Sequence, residues 1–174
     1  MMEFKSAGAF GAYLMTVAVS MRAAERHAME DAALMFRDEA RLMLGSEQTG
    51  AGGLKTWEPL SEFTQQRRVQ LGYTADEPLL MSGTLYGEIA ASWGQREARM
   101  GVPSKMVDDK SRPGRSVDIG DVAIWNEFGT ITQEPRSFIA LTGVRHGEQA
   151  VRMIGRMMER LLAGMTLTRY HSRT

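Results

Sequence analysis

The sequence predicts an α+β chain: a small antiparallel sheet flanked by a long N-terminal helix and an amphipathic C-terminal helix, with an extended loop or hairpin. Three observations lead there. From about Val17 to Leu44, apolar residues recur at three- and four-residue spacing. Ser116 to Ile119 and Val122 to Phe128 alternate with period two on either side of Gly120-Asp121, which predicts a hairpin. From roughly Glu148 to Ala163 a wide apolar stripe returns with helical spacing.

The N-terminal run "GAFGAYLMTVAVSM" is shorter than the roughly twenty residues that span a bilayer. Glu3 and Lys5 cancel upstream, so the positive flank of a secretory signal is missing. The run is expected to be buried structure, helix or strand, in a protein that starts in the cytoplasm. In the long helix, Met21, Ala24, Ala28, Ala32, Met35 and Leu42 share a stripe, and Gly45 is a fitting stop. Residues 45–56, "GSEQTGAGGLKT", read as a flexible Gly-rich segment. This segment does not match a phosphate loop, because Leu54 precedes Lys55-Thr56 and a helix, not a strand, comes before it.

Ser61 is placed to N-cap a short helix with Thr64 to Leu71 as its body. Leu79 to Leu85 predict a turn into a short helix, and Gly87 to Trp93 a strand. Residues 95–115, interrupted by Pro103 and Pro113, predict an exposed loop or hairpin tip. In the strand expected at Val122 to Phe128, Val122, Ile124 and Phe128 share one face, and Ala123, Trp125 and Glu127 the other. Asn126 then lies on the apolar face. On the C-terminal helix Val151, Ile154, Met157, Met158, Leu161, Leu162 and Met165 form the stripe, with Arg152, Arg156 and Arg160 on another face. Residues 166–174 read as a polar C-terminal arm, and the whole chain, 1–174, as one domain.

Composition narrows the chemistry. Lys plus Arg equals Asp plus Glu at 21 each, so no global charge marks a nucleic-acid binder. The absence of cysteine excludes disulfides and thiolate metal sites. Fourteen methionines suit either core filling or surfaces that repack against neighbours. His27 with Glu30 and Asp31 has metal-compatible helical spacing, but that pattern usually marks a solvated face. His146 and His171 lack a second ligand nearby in sequence. Neither a nucleophile elbow nor a zincin motif nor a dinucleotide turn is present. Glu127 with Asn126, or Glu127 paired with Asp118 or Asp121, is the one enzyme-like reading, and no spacing demands it. The expectation is therefore no catalytic residue, no metal and no cofactor. A DNA-binding accessory role through residues 95–115 and the C-terminal arginines is a further alternative.

Three blocks occur in order: "WEPLSEFTQQRRVQLGY", "EPLLMSGTLYGEIAASW", and "VAIWNEFGT" followed by "EPRSFIAL". Together they resemble the virion morphogenesis and tail-completion (neck) proteins of Mu-like and lambdoid tailed bacteriophages, over about residues 57 to 142. Ser137 stands where that family usually has proline, and Tyr86-Gly87 replaces a more usual basic or polar pair. The resemblance implies an α+β structural protein, not an enzyme. It implies a homo-oligomeric ring at the head–tail junction of the virion, hexamer or dodecamer, assembled in the host bacterial cytoplasm. Its partners would be other copies, head connector or stopper proteins, and tail-tube or terminator proteins, with DNA passing through without sequence-specific binding and no membrane. Structural or interface roles are then expected for Trp57, Leu60, Gly83, Leu85, Trp125, Glu127, Phe128, Gly129, Arg136 and Phe138. Among these, Phe128 and Phe138 are expected as core anchors, Gly83 and Gly129 as turns, and Arg136 as an ion-pair partner of Glu127.

Overall fold

A computed structural model describes residues 5–163, 170 and 171. The order of elements is α1 (Ala7–Met43), α2 (Glu62–Gln70), α3 (Thr84–Glu88), β1 (Ala90–Trp93), β2 (Ala98–Gly101), β3 (Met106–Asp108), β4 (Ser116–Asp118), α4 (Ile119–Phe128) and α5 (Ile139–Leu162). The fold is α+β, with a long helix near each end and two small antiparallel two-stranded sheets, β1–β2 and β3–β4. Met106 pairs with Asp118, Val107 with Val117 and Asp108 with Ser116.

The chain divides into two compact units. The first takes α1 through Met35, residues 92–99 and α5 from Glu148 onward. Within it Ala24, Ala28, Ala32, Ala33 and Met35 of α1 are buried, as are Ala150 and Met157 of α5. Small alanines at this spacing let another backbone approach α1 closely. Asp31, also buried, accepts the backbone N–H of Tyr170 at 2.9 Å. The second unit holds residues 36–91 and 100–147. Its core is Ala40, Met43, Leu44, Trp57, Leu85, Ile89, Ile119, Ala123, Phe138 and Leu141. The arm expected at 166–174 and the Met165 end of the α5 stripe lie outside the described residues, apart from Tyr170 and His171.

Local chemistry explains several boundaries. Ser61 caps α2 by accepting Thr64 N–H at 3.3 Å, as its sequence position suggests. Gly83, at φ 74°, takes the left-handed turn before α3. Arg41 donates to the carbonyls of Gly87 (3.3 Å) and Ile89 (2.9 Å) at the end of α3, and its guanidinium lies 5.2 Å from the centroid of the Tyr86 ring. Residues 45–56 form neither helix nor strand, yet they are tied internally: Trp57 N–H reaches Gln48 O at 2.9 Å, and Gly50 N–H reaches Thr56 Oγ1 at 3.0 Å. A Cβ at Gly50 would sit 2.1 Å from Leu54 O, so the turn closes only on glycine.

Several sequence expectations need correction. The strand predicted at Val122 to Phe128 is the helix α4, and β4 pairs with β3 instead. The strand predicted from Gly87 begins at Ala90, because residues 84–88 complete α3. The stretch 95–115 is not one loop; it carries β2 and β3, leaving 109–115 as the hairpin tip. The C-terminal helix starts at Ile139, not near Glu148. The N-terminal apolar run is helical and not buried: Phe10, Leu14, Met15 and Val19 are all exposed.

Candidate assembly surface

The segment from Asp118 to Ala140 concentrates the residues singled out above. Asp118 starts α4 as its N-cap, its Oδ1 accepting Gly120 N–H at 2.8 Å and Lys105 N–H at 3.1 Å. The Ser104 hydroxyl donates to its other oxygen. Those donors, the Ser104 hydroxyl foremost and then the Gly120 amide, hold the Asp118 carboxyl below its ordinary range. The helix then buries Ile119, Ala123 and Glu127, one residue per turn along a single face. The opposite face presents Asp121, Ile124, Trp125 and Phe128 to solvent.

Glu127 is only 7 % exposed. Its Oε2 accepts the backbone N–H groups of Phe138 (3.0 Å) and Ile139 (2.9 Å), and its Oε1 accepts that of Ala140 (2.8 Å). A carboxylate on α4 thus satisfies the free amides that open α5, where the helix dipole favours negative charge. Ser137 Oγ donates to Glu127 O at 2.6 Å, and Arg136 N–H to Asn126 O at 2.6 Å. Between the helices Gly129 adopts φ 77°, ψ −179°, a combination that essentially only glycine occupies. A Cβ there would also meet Gln133 O at 2.8 Å. The end of α4 and the start of α5 are therefore fastened side chain to backbone in both directions.

This geometry sorts the expected residues. Trp57, Leu60, Leu85 and Phe138 are buried, and Phe138 is a core anchor as expected. Phe128 is not: it is 77 % exposed, because a helical repeat turns position 128 to the face opposite Ile119, Ala123 and Glu127. Trp125 is exposed and does not share a face with buried Glu127. The ion pair expected between Arg136 and Glu127 is absent. Arg136 donates instead to the carbonyls of Glu58 (2.8 Å) and Pro59 (3.3 Å), while both oxygens of Glu127 already hold backbone amides. Gly83 and Gly129 are turns of positive φ, as expected.

The enzyme-like grouping is likewise engaged in structure. Asn126 donates to Val122 O at 2.7 Å and accepts from Gln133 Nε2 at 2.8 Å, and Asp118 caps α4. His27 contacts Glu30 at 3.4 Å and His146 contacts Glu39 at 3.7 Å. Among the described residues no group of three His, Asp or Glu could hold a metal, and no helix is long and apolar enough to cross a membrane. Arg152 pairs with Glu148 one turn earlier, at 2.9 Å.

Two features went unread in the sequence. Arg68 is buried while the apolar residue beside it, Val69, is exposed, and only tertiary contacts could reveal that. The outward face of Ile124, Trp125 and Phe128, exposed like Ile131 beyond the Gly129 turn, is masked because the segment also alternates with period two. Its signal was present in the caps: Asp118 and Gly129 bracket ten residues, a helix's length rather than a short strand's. Comparison with family models, curated proteins and solved structures finds no match to this chain.

Proposed function

We propose that this chain is a structural protein of a tailed bacteriophage that assembles with its own copies into a ring at the head–tail junction. As a neck, tail-completion or terminator subunit it would join the head connector to the tail tube around an open DNA channel. The three ordered blocks between residues 57 and 142 and the α+β fold support the reading. The observation that carries it is the outward apolar face of Ile124, Trp125 and Phe128 on α4, which falls inside the third block. Large apolar side chains grouped on one helix face mark a surface that a partner covers. Full burial of each contributes about 1.5–3 kcal/mol, so a neighbour covering even half of this face gains several kcal/mol per contact.

In a ring the contact is heterologous: this face of one subunit meets a different surface of the next, and rotation closes the circle. Near-zero net charge suits a channel that must not hold DNA. Mass photometry and negative-stain electron microscopy, with the protein alone and with connector and tail-tube proteins added, test the proposal. Closed particles of one fixed copy number are expected. Phe128→Asp should abolish them while leaving the thermal unfolding midpoint within a few degrees of the parent. A chain that stays monomeric with both partners present, or rings that Phe128→Asp leaves intact, would count against this assignment.

A further inference from the structure

A cavity of about 610 Å³ opens in the second unit, with walls from α2, α3, α4 and the β3–β4 pair. Part of its lining is apolar, including Leu60, Leu85 and Val122. Two arginines also line it, Arg68 from α2 and Arg136 from the segment before α5, and they are only 7 % and 8 % exposed. Burial pushes both guanidiniums below their ordinary range, and the Arg136 charge adds to that effect at Arg68, against the opposing pull of Glu77. Two like charges, each largely buried, thus line the same cavity.

No carboxylate forms an ion pair with either one among the described residues. Arg68 donates to Glu77 O at 2.7 Å, and Arg136 to the Glu58 and Pro59 carbonyls, so these contacts are neutral backbone oxygens. The Nε of Arg136 is buried with no hydrogen-bond partner. Four acids also line the cavity, and none of them pairs with either arginine. Asp108 holds Lys110 at 3.1 Å, Glu134 holds Lys55 at 3.0 Å, Asp109 accepts the Ser111 N–H and hydroxyl at 2.9 and 2.6 Å, and Glu58 meets Arg136 only through its carbonyl. Glu58 and Glu77 meet the arginines through their main chains. The carboxylates of Glu77 and Asp76 at Arg68, and of Glu58 at Arg136, oppose part of the burial effect without forming an ion pair.

A buried charge is costly unless it is paired, and here two remain unpaired beside one cavity. The planar guanidinium fork matches the two oxygens of a carboxylate, and the apolar walls match a hydrocarbon body. We infer that this cavity binds a carboxylate carried on an apolar body, with Arg68 and Arg136 holding the carboxylate. The ligand is either a free organic acid or an acidic side chain flanked by apolar residues on another protein. The inference does not depend on ring assembly.

Titration of the ¹⁵N-labelled wild-type chain with sodium hexanoate tests it without any variant. The Arg68 and Arg136 Nε–Hε signals should shift saturably, and the unfolding midpoint should rise with occupancy. Acetyl-Leu-Glu-Leu-amide in a parallel arm separates the sources: tighter binding of the peptide than of hexanoate assigns a protein-borne carboxylate, and the reverse a free acid. Arg68→Lys keeps the charge but loses the fork, and should weaken hexanoate about tenfold or more. Absence of a saturable shift with either probe overturns the inference. So does an equal response to neutral hexanamide, to chloride at matched ionic strength, or to inorganic phosphate.

Discussion

Replacing Glu127 tests the joint between α4 and α5 directly. Its carboxylate accepts three backbone amides at 2.8–3.0 Å while itself 7 % exposed. Hydrogen bonds to a charged group contribute about 1.5–3 kcal/mol each, but the three share one carboxylate and are not additive. Phe138 is buried, so its N–H finds no water after truncation, whereas exposed Ala140 can rehydrate. Counting one fully orphaned donor, partial loss at the other two, and the missing cap gives about 3–4 kcal/mol for Glu127→Ala. Glu127→Gln keeps one acceptor oxygen and should cost about 1–2 kcal/mol.

The assay is urea unfolding followed by far-ultraviolet circular dichroism, with linear extrapolation to water. Because the cap holds the helix start and not a particular cation, a double-mutant cycle between Glu127→Ala and Arg136→Met should give a coupling below about 0.5 kcal/mol. A Glu127→Ala variant within about 0.5 kcal/mol of the parent would refute the capping argument. A coupling above about 1 kcal/mol would restore the ion pair that the sequence alone suggests.

Other consequences follow from the same stretch. Gly129→Ala forces a side chain into a glycine-only conformation and toward Gln133 O, so it should cost about 2–4 kcal/mol, while Gly83→Ala, with open space around its Cβ position, should cost about 1–2 kcal/mol. Equal losses in urea unfolding would contradict that difference. The depressed Asp118 carboxyl contributes stability that is complete above its ordinary value of 3.8 and is lost as pH falls through its lower folded value. Wild type should therefore lose stability more steeply below that pH than Asp118→Asn, and parallel curves from acid titration would disprove the contribution.

Much of the fold was legible because its signals are local. The stripe from Met21 to Leu42 and the stripe on α5 each repeat over several turns, and both are helices. Ser61 caps α2 as its position suggests. The α4 segment is ambiguous because its composition satisfies both periods. Counted by twos, Val122, Ile124 and Phe128 align; counted by three and four, Ile119, Ala123 and Glu127 do. Only the second count places an acid on the buried face, which looks unfavourable until Phe138, Ile139 and Ala140 supply their amides from ten or more residues downstream. Burial of Arg68 and Arg136 depends in the same way on distant carbonyls, those of Glu77 and of Glu58 and Pro59.

That correction reverses the meaning of the third sequence block. In a strand Phe128 would face the core, and Glu127 would be a surface acid available to Arg136 or to a neighbouring subunit. In the helix the two exchange places. Glu127, Gly129, Arg136, Ser137 and Phe138 become the internal fastening of one joint: the cap, the turn, the clamp on the segment before α2, the hydroxyl on Glu127 O, and the core anchor. Ser137, a departure from the proline usual in the resembling family, contributes a donor that proline lacks. The apolar surface that the proposed assembly would use is then Ile124, Trp125 and Phe128, held outward by a helix fixed at both ends. An exposed apolar face on so firmly anchored a helix loses little conformational freedom when it docks, so local ordering adds little to the cost of assembly. Variants of the joint should then lower stability and assembly together, whereas variants of the outward face should lower assembly alone.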